Sequence, residues 1–521
     1  MNYSDLSRVT LPETMLEVAA LVVLIVDLCF LRKVALKTRV AVAALLGVVG
    51  CGAARWAIGI QVGFGFYVDG TLVLTNGGNT AVAQIGILVL TALTLLLLID
   101  SVFTNHVGEF VAVVLMAASG GLVVAAAQDL LVIFIGLELL SLGLYIMTAF
   151  AKSSGKSAEA AMKYYLFGGM SAAFLLFGFS YLYGLTGYTD LNMIEQNIPL
   201  GSSSLLCVAW VLIVAGLGFK VAAVPFHLWA PDTYEGAPSQ AAAFIASVSK
   251  VASFTLLLNV CYGLFQPGKD MIGPPHLLDE ILRIDLAIWQ PLLIVLVVAA
   301  VASIVVGNLA ALAQVSVRRL LAYSTIAHAG YILLGVAFRP PYTNQVNMVR
   351  FVLDSYQPVQ KSAVAVLYYI LTYGLTTIGA FGVVSVVERA TGSDRLDSFL
   401  GLHKRNPLLA AVLFVLFLSL AGIPPLVGFW AKFNLFAAVL GVSAGPVPFA
   451  LVALAIAMSA VSLYYYLQVL KRAYVMPATD ETQIKAHPVT MAVLLAIAAA
   501  VIVLGVFPAL LQGWIESFYA H

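Results

Sequence analysis

About fourteen apolar stretches, each roughly the length of a bilayer crossing, leave this chain of 521 residues few ways to fold. They lie near 14–31, 40–60, 80–99, 108–126, 130–150, 160–185, 205–232, 238–262, 288–311, 317–338, 361–388, 408–438, 447–471 and 489–511. A spanning helix needs about 20 apolar residues. Lipid offers no hydrogen bonds, so the backbone must satisfy its own. The predicted fold is therefore an all-α polytopic membrane protein with about 14 transmembrane helices. Linkers are short, and the longest predicted loops are 262–287 and 339–360. The residues are 62% hydrophobic and only 10% charged, against about 25% charged in a typical soluble domain. Such a chain cannot cover itself with polar surface.

Several function classes are excluded at this level. The net charge of +1 gives no hint of a nucleic-acid partner. Cys29, Cys51, Cys207 and Cys261 are far apart and have neither metal-ligand spacing nor a disulfide framework. There is no Cys/His cluster, Gly-rich phosphate loop or G-x-G-x-x-G, so no cofactor is expected in this chain. Asp5, Glu13 and Glu17 precede the first apolar run where a signal peptide would be basic, so that run reads as a retained helix.

Lysine and arginine set the orientation. Sixteen lie in loops after odd-numbered spans and seven on the opposite side. The basic side is expected to be cytoplasmic, with both termini facing outward. Two long segments are interrupted alike: Gly216-Leu-Gly-Phe-Lys220-Val-Ala-Ala-Val-Pro225 and Gly422-Ile-Pro-Pro-Leu-Val-Gly428-Phe-Trp-Ala-Lys432. Paired Gly/Pro-broken helices point to inverted repeats with a site at mid-membrane depth. The predicted division is 1–106 for spans 1–3, 107–262 for a first five-helix repeat (spans 4–8), 288–472 for a second, inverted repeat (spans 9–13), and 489–521 for span 14.

Glu138, Lys220, Lys250 and Lys432 lie inside these apolar segments. A charge at the bilayer centre costs roughly 2.5–3.5 kcal/mol on insertion scales, so one acid and three lysines at that depth read as a path for charge. About eight residues separate Glu138 from either end of its span, roughly 12 Å at 1.5 Å per residue. Such a carboxylate must be neutral or paired, and Lys220 is the natural partner. The alternatives are a structural ion pair for Glu138 and snorkelling to the cytoplasmic edge for Lys220. Lys250 is too central to snorkel easily, and Ser247 and Ser249 beside it could help solvate it. His328 is either a hydrogen-bonded core residue or a relay suited by its titration near neutrality. Asp27 reads as interfacial, and Tyr464, Tyr465 and Tyr466 read as packing or anchoring residues.

With these residues in place, the chain resembles the antiporter-like membrane subunits of respiratory complex I, the proton-translocating NADH–quinone oxidoreductase. The likeness covers nearly the whole chain and is clearest from Glu138 to Lys432. Its strongest stretch is Lys220-Val-Ala-Ala-Val-Pro-Phe-His-Leu-Trp-Ala-Pro-Asp-Thr-Tyr-Glu-Gly-Ala-Pro238. The Pro-Asp-x-Tyr-Glu-Gly-Ala-Pro portion is similar to subunit N. Lys432, where subunit M has a glutamate, and a chain that stops at His521 without the long lateral helix of subunit L point the same way. Trp430-Ala431 departs from the family pattern and should alter packing more than charge.

The resemblance implies that Glu138 is the acid of span 5, Lys220 the lysine of broken span 7, Lys250 the central lysine of span 8 and Lys432 the basic residue of broken span 12. With His328 they would form a proton relay. It further implies partners among the other complex I membrane subunits, including neighbouring antiporter-like ones, rather than self-association. NADH, FMN, iron–sulfur clusters and quinone would be bound by those other subunits, and the location would be the bacterial plasma membrane. Two other readings stand: a subunit of a multi-subunit Na⁺/H⁺ antiporter, which three lysines disfavour, and a structural spacer.

Overall fold

A computed structural model describes residues 3–61, 63, 65–68, 71–101, 103–198, 203–263, 275–338, 348–442, 445–478 and 482–519; over 3–5, 68, 203, 262–263, 275–290, 348–360 and 442 it describes the backbone. The chain begins with α1 (Tyr3–Val9), α2 (Leu11–Ile25), a π-helical turn at Val26–Phe30 and α3 (Leu36–Gln61). An antiparallel hairpin follows, β1 (Gly65–Val68) and β2 (Thr71–Thr75). Then come α4 (Gly78–Leu98), α5 (Val107–Ala126), α6 (Leu130–Thr148), α7 (Gly155–Thr186), the short α8 (Leu191–Asn197), α9 (Ser203–Val221), α10 (Trp229–Gly236), α11 (Ser239–Ala246) and α12 (Val248–Gly263). The second half holds α13 (Pro275–Leu312), α14 (Val317–Ala337), α15 (Met348–Thr391), the one-turn α16 (Leu402–Arg405), α17 (Pro407–Ala421), α18 (Val427–Val442), α19 (Pro446–Tyr474), α20 (Pro488–Val506) and α21 (Pro508–Ser517).

Twelve helices among the described residues are long and apolar enough to cross a membrane. The two remaining predicted spans are divided. Segment 14–31 falls on α2 and the π-helical turn, and segment 408–438 on α17 and α18. The hairpin is not among the predicted elements, although Asp69-Gly70 between its strands is a favoured turn dipeptide. The predicted loops 262–287 and 339–360 are corrected in part: α13 begins at Pro275 and α15 at Met348, so helix continues past the apolar windows. Residues 264–274 and 339–347 lie outside the described residues.

Two five-helix units share their local construction. Asp129 caps α6, accepting from the Leu131 and Val132 amides, and Ser316 caps α14, accepting from the Arg319 amide. Next to each cap the chain pairs with the segment that follows the next long helix. Leu130 N donates to Thr189 O and Leu191 N to Gln128 O; in the second unit Val317 N donates to Asp394 O and Leu396 N to Val315 O. The broken helices correspond too. α9 ends at Ala222 with φ 57°, and α17 at Gly422 with φ 88°. The Val224–Pro225 and Pro424–Pro425 peptide bonds are cis. Span 8 is also irregular: Ser247, with φ −118° and ψ −74°, separates α11 from α12.

Candidate functional site

The first break positions two lysines. Helices end with unpaired C-terminal carbonyls; at the end of α9 Phe219 O still accepts from the Ala222 amide at 3.0 Å, and Lys220 O is left for a side chain. Trp229 Nε1 of α10 donates to Phe219 O at 3.0 Å, and Lys250 Nζ of α12 donates to Lys220 O at 3.4 Å. Lys250 also stands 5.6 Å over the Trp229 ring. The Lys220 side chain turns toward α6 and donates to Ser141 Oγ, and Ser141 itself donates to Leu137 O. All three polar side chains are buried.

The expected Glu138–Lys220 pair is not formed. Glu138 is half-buried on the flank of α6, and among the described residues it makes no ion pair. Ser141, three residues along α6, takes the contact because i and i+3 share a helix face. Ser247 does not solvate Lys250; its hydroxyl donates back to Ala243 O at 2.6 Å.

The second break is occupied differently. Lys432, on the second turn of α18, reaches back across the gap to Leu420 O at 3.1 Å, Ala421 O at 3.0 Å and Ser459 Oγ at 2.8 Å. Its ammonium lies 5.5 Å over the Tyr331 ring. His328 is buried on α14, with Nδ1 2.8 Å from Tyr369 OH, and the Leu420 carbonyl faces its ring. The sequence places a lysine at each break, but Lys220 precedes its gap and Lys432 follows its own. The ammonium seated on the first gap's carbonyl is that of Lys250.

The five predicted residues thus fall into three hydrogen-bonded groups, Ser141–Lys220–Lys250, His328–Tyr369 and Lys432–Ser459, with Glu138 at the flank. Tyr373 packs its ring 4.7 Å from that of His328, and its OH donates to Thr325 Oγ1 at 2.7 Å. Sequence reasoning missed Ser459, for which it holds no signal, and Tyr369. It also took the tyrosine triplet as one unit. Tyr464 is exposed; Tyr465 donates to Asn308 Oδ1 at 3.2 Å, and Tyr466 OH bonds Ser324. Asn308 Nδ2 donates in turn to Tyr331 OH at 3.0 Å. Asp27 is buried against α3 and takes a bidentate contact from Arg39 at 2.8 and 2.7 Å. Trp430 Nε1 donates to Gly505 O at 2.8 Å.

Comparison with known proteins follows the same lines. The family described as NADH:quinone oxidoreductase/Mrp antiporter, TM, matches residues 127–269 and 281–462. NADH-quinone oxidoreductase subunit N 2 of Acidobacterium capsulatum is 46% identical over 530 residues, 99% of each chain. A chain of respiratory complex I from Thermus thermophilus superposes with a TM-score of 0.73 at 31% identity, covering 96% of this chain and 98% of that one. A chain of the Mrp complex from Dietzia sp. shares the fold at 20% identity and a TM-score of 0.78, covering 98% of this chain and 51% of that one. The chain belongs to the NADH-quinone oxidoreductase subunit N group of this family.

Proposed function

We propose that this member of the family relays protons across the membrane as a subunit of a proton-translocating NADH–quinone oxidoreductase, driven by quinone reduction in other subunits. The observation that carries this reading is the pair of buried ammonium groups, Lys250 and Lys432, each seated on the bare carbonyl end of a broken helix. Carbonyl oxygens replace the water an ammonium would otherwise hold, and transporters build mid-membrane sites this way. Lys220 and Lys250 are linked through one residue's side chain and backbone. In a low dielectric, charge on one therefore disfavours charge on the other. Glu138 at the flank is the intake residue, and Ser141 passes its influence to Lys220. His328, paired with Tyr369, stands near Lys432.

On the outward side, a cleft of about 390 Å³ opens between α15, α18 and α21, bordered by Lys361, Tyr368, Asn434, Gln512 and Glu516. At about 30 Å³ per water it has room for roughly a dozen molecules. Its wall includes Tyr368, which precedes Tyr369, the partner of His328, on α15, and the cleft is the outlet in this reading. The units 107–262 and 288–472 act as the two halves of the path. The location is the bacterial plasma membrane, with the basic loops cytoplasmic and both termini outward.

The test is proton translocation per electron by the assembled complex in proteoliposomes carrying Lys220→Ala or Glu138→Gln. The expected result is a lowered proton-to-electron ratio with assembly intact, unchanged when sodium is replaced by choline. A wild-type ratio in both variants overturns the relay. Loss of assembly favours the spacer, and sodium dependence favours the antiporter.

A further inference from the structure

We propose that Glu13 is a second proton-binding site, built into the N-terminal helices and separate from the central groups: it holds a proton in the folded protein, and that proton seats α2 against α4 and α5. Glu13 lies in the first turn of α2 and is 5% exposed; Gln84 of α4, whose amide end meets it, is 1% exposed. Gln84 Nε2 lies 3.3 Å from Leu122 O of α5 and 3.5 Å from Glu13 Oε1. The Leu122 carbonyl can only accept, so the atom facing it is the amide nitrogen. This orientation uses both amide hydrogens and leaves Gln84 Oε1 with no donor among the described residues; Glu13 Oε2 has none either.

Among the described residues, no cation is placed to answer them. α4 carries no charged residue, and the one on α5, Glu109, is in its first turn, far along the helix from Leu122. Arg8 and Arg55 are exposed, Arg39 is committed to Asp27 at the other end of α3, and Lys250 of α12, which packs on α4 and α5, donates to Lys220 O. The nearest charged neighbour is Glu17, one turn on, whose Oε1 accepts from Ser119 at 3.2 Å. An ionised Glu13 would meet only the Gln84 amide at 3.5 Å and its own backbone N–H, with no donor for Oε2, and would bear most of the cost of burial. A protonated carboxyl supplies the one O–H donor that the site lacks. The bound species is therefore a proton, and Gln84 is the positioning residue.

The experiment measures the thermal midpoint at which the detergent-solubilised complex releases this subunit, from neutral to alkaline pH, with sodium or choline as the cation. Wild type is compared with Glu13→Gln and Glu13→Ala. The expected result is that Glu13→Gln, which keeps a donor in place and cannot ionise, matches wild type at neutral pH. It then falls less steeply than wild type as pH rises. Glu13→Ala should lie several degrees lower at every pH, because it strands the Gln84 amide. Equal pH slopes for wild type and Glu13→Gln overturn the proposal, as does a Gln variant as weak as the Ala variant at neutral pH. A wild-type midpoint that drops on replacing sodium at fixed pH overturns it in favour of a bound cation. Quinone reductase activity, unchanged in both variants, reports that the complex remains assembled.

Discussion

The two helix breaks solve one problem with different residues. In each, a half-helix stops at a residue of positive φ, Ala222 or Gly422, and leaves carbonyls that lipid cannot satisfy. In the first, the answering ammonium comes from the next span, Lys250 on α12, and meets one carbonyl at 3.4 Å. In the second it comes from the far side of the same break, Lys432 on α18, and meets two carbonyls and a serine at 2.8–3.1 Å. The two units agree on where the charge arrives and differ on which helix delivers it. A similar exchange occurs one helix away. Counting from the caps Asp129 and Ser316, Ser141 and His328 hold the same position on α6 and α14. One contacts Lys220, and the other lies beside Leu420 O.

The largest expected effect separates the two seats. Lys432→Leu should abolish the proton translocation that depends on this subunit. It should also destabilise the fold by about 1–3 kcal/mol for each of two uncapped carbonyls. Lys250→Leu should likewise abolish translocation but uncap only one carbonyl, and so cost about half as much stability. Midpoints of subunit release and proton-to-electron ratios measure both quantities. If Lys250→Leu proves the more destabilising, the capping account of the two breaks fails.

The next effect tests the residues at the turn. A Cβ on Gly422 would stand 3.0 Å from Lys432 Cδ and 3.2 Å from its Nζ, at a φ of 88°. Gly422→Ala should therefore push the ammonium off its carbonyls, adding about 1–2 kcal/mol of backbone strain. The expected readout is a several-fold loss of translocation with the complex assembled. Ala222→Gly, the mirror substitution, removes a strained side chain at the first break and should leave translocation near wild type. A tolerated Gly422→Ala would mean that Lys432 does not need its present seat.

A smaller loss is expected at the helix neighbours. Ser141→Ala removes the hydroxyl that Lys220 contacts, and hydrogen bonds to charged groups contribute about 1.5–3 kcal/mol. Translocation should fall a few-fold, and the pH profile of the ratio should shift. An unchanged profile would mean that Lys220 is held by something other than Ser141.

These contrasts mark what can be read in the sequence. The breaks at 216–225 and 422–432 are legible because Gly and Pro together disfavour a continuous helix inside an apolar run. Lys220, Lys250, His328 and Lys432 are legible because burial is costly for them. Their pairings are not. Whether a side chain on α6 meets Lys220 from position 138 or 141 depends on helix rotation, which an all-apolar helix does not encode: Phe134-Ile-Gly-Leu-Glu138-Leu-Leu-Ser141 is apolar on nearly every face. Which lysine fills a gap depends on how far α12 slides along α9, and nothing local records it. Ser459 carries no signal, since a single serine in a span is ordinary. The loop at 339–360 is misjudged because an apolar window stops where helix need not.

The smallest expected effect concerns how the first unit's second half-helix is held by the second unit. Arg318 and Arg319 leave α14 in different directions. Arg318 is buried and donates to Tyr234 O at 2.8 Å, to Ala237 O and to Glu388 at 3.0 Å, closing the C-terminal end of α10. Arg319 stays half-exposed and bridges Asp232 at 2.8 Å and Glu235 at 3.0 Å, while Lys163 of α7 meets Asp232 at 2.7 Å. Burial pushes the Glu235 carboxyl up, but the Arg319 guanidinium outweighs it and holds the group below the usual glutamate range. A depressed folded-state value means that the stabilisation is present above the ordinary titration near 4.5 and is lost as pH falls through the lower value. Acid should therefore loosen α10 from α14, and salt should do so weakly at neutral pH, since exposed pairs contribute about 0–1 kcal/mol and are screened. Burial pushes the Asp232 carboxyl up too, but the Lys163 and Arg319 cations hold it low as well. Glu235→Gln should therefore remove part of the acid sensitivity at little cost in neutral stability, measured as amide exchange of α10 in the assembled complex. Arg318→Ala should instead raise exchange at every pH, because it strands buried carbonyls that salt cannot reach. If Glu235→Gln opens α10 as far as Arg318→Ala does, the surface pairs rather than the buried arginine hold the two units together.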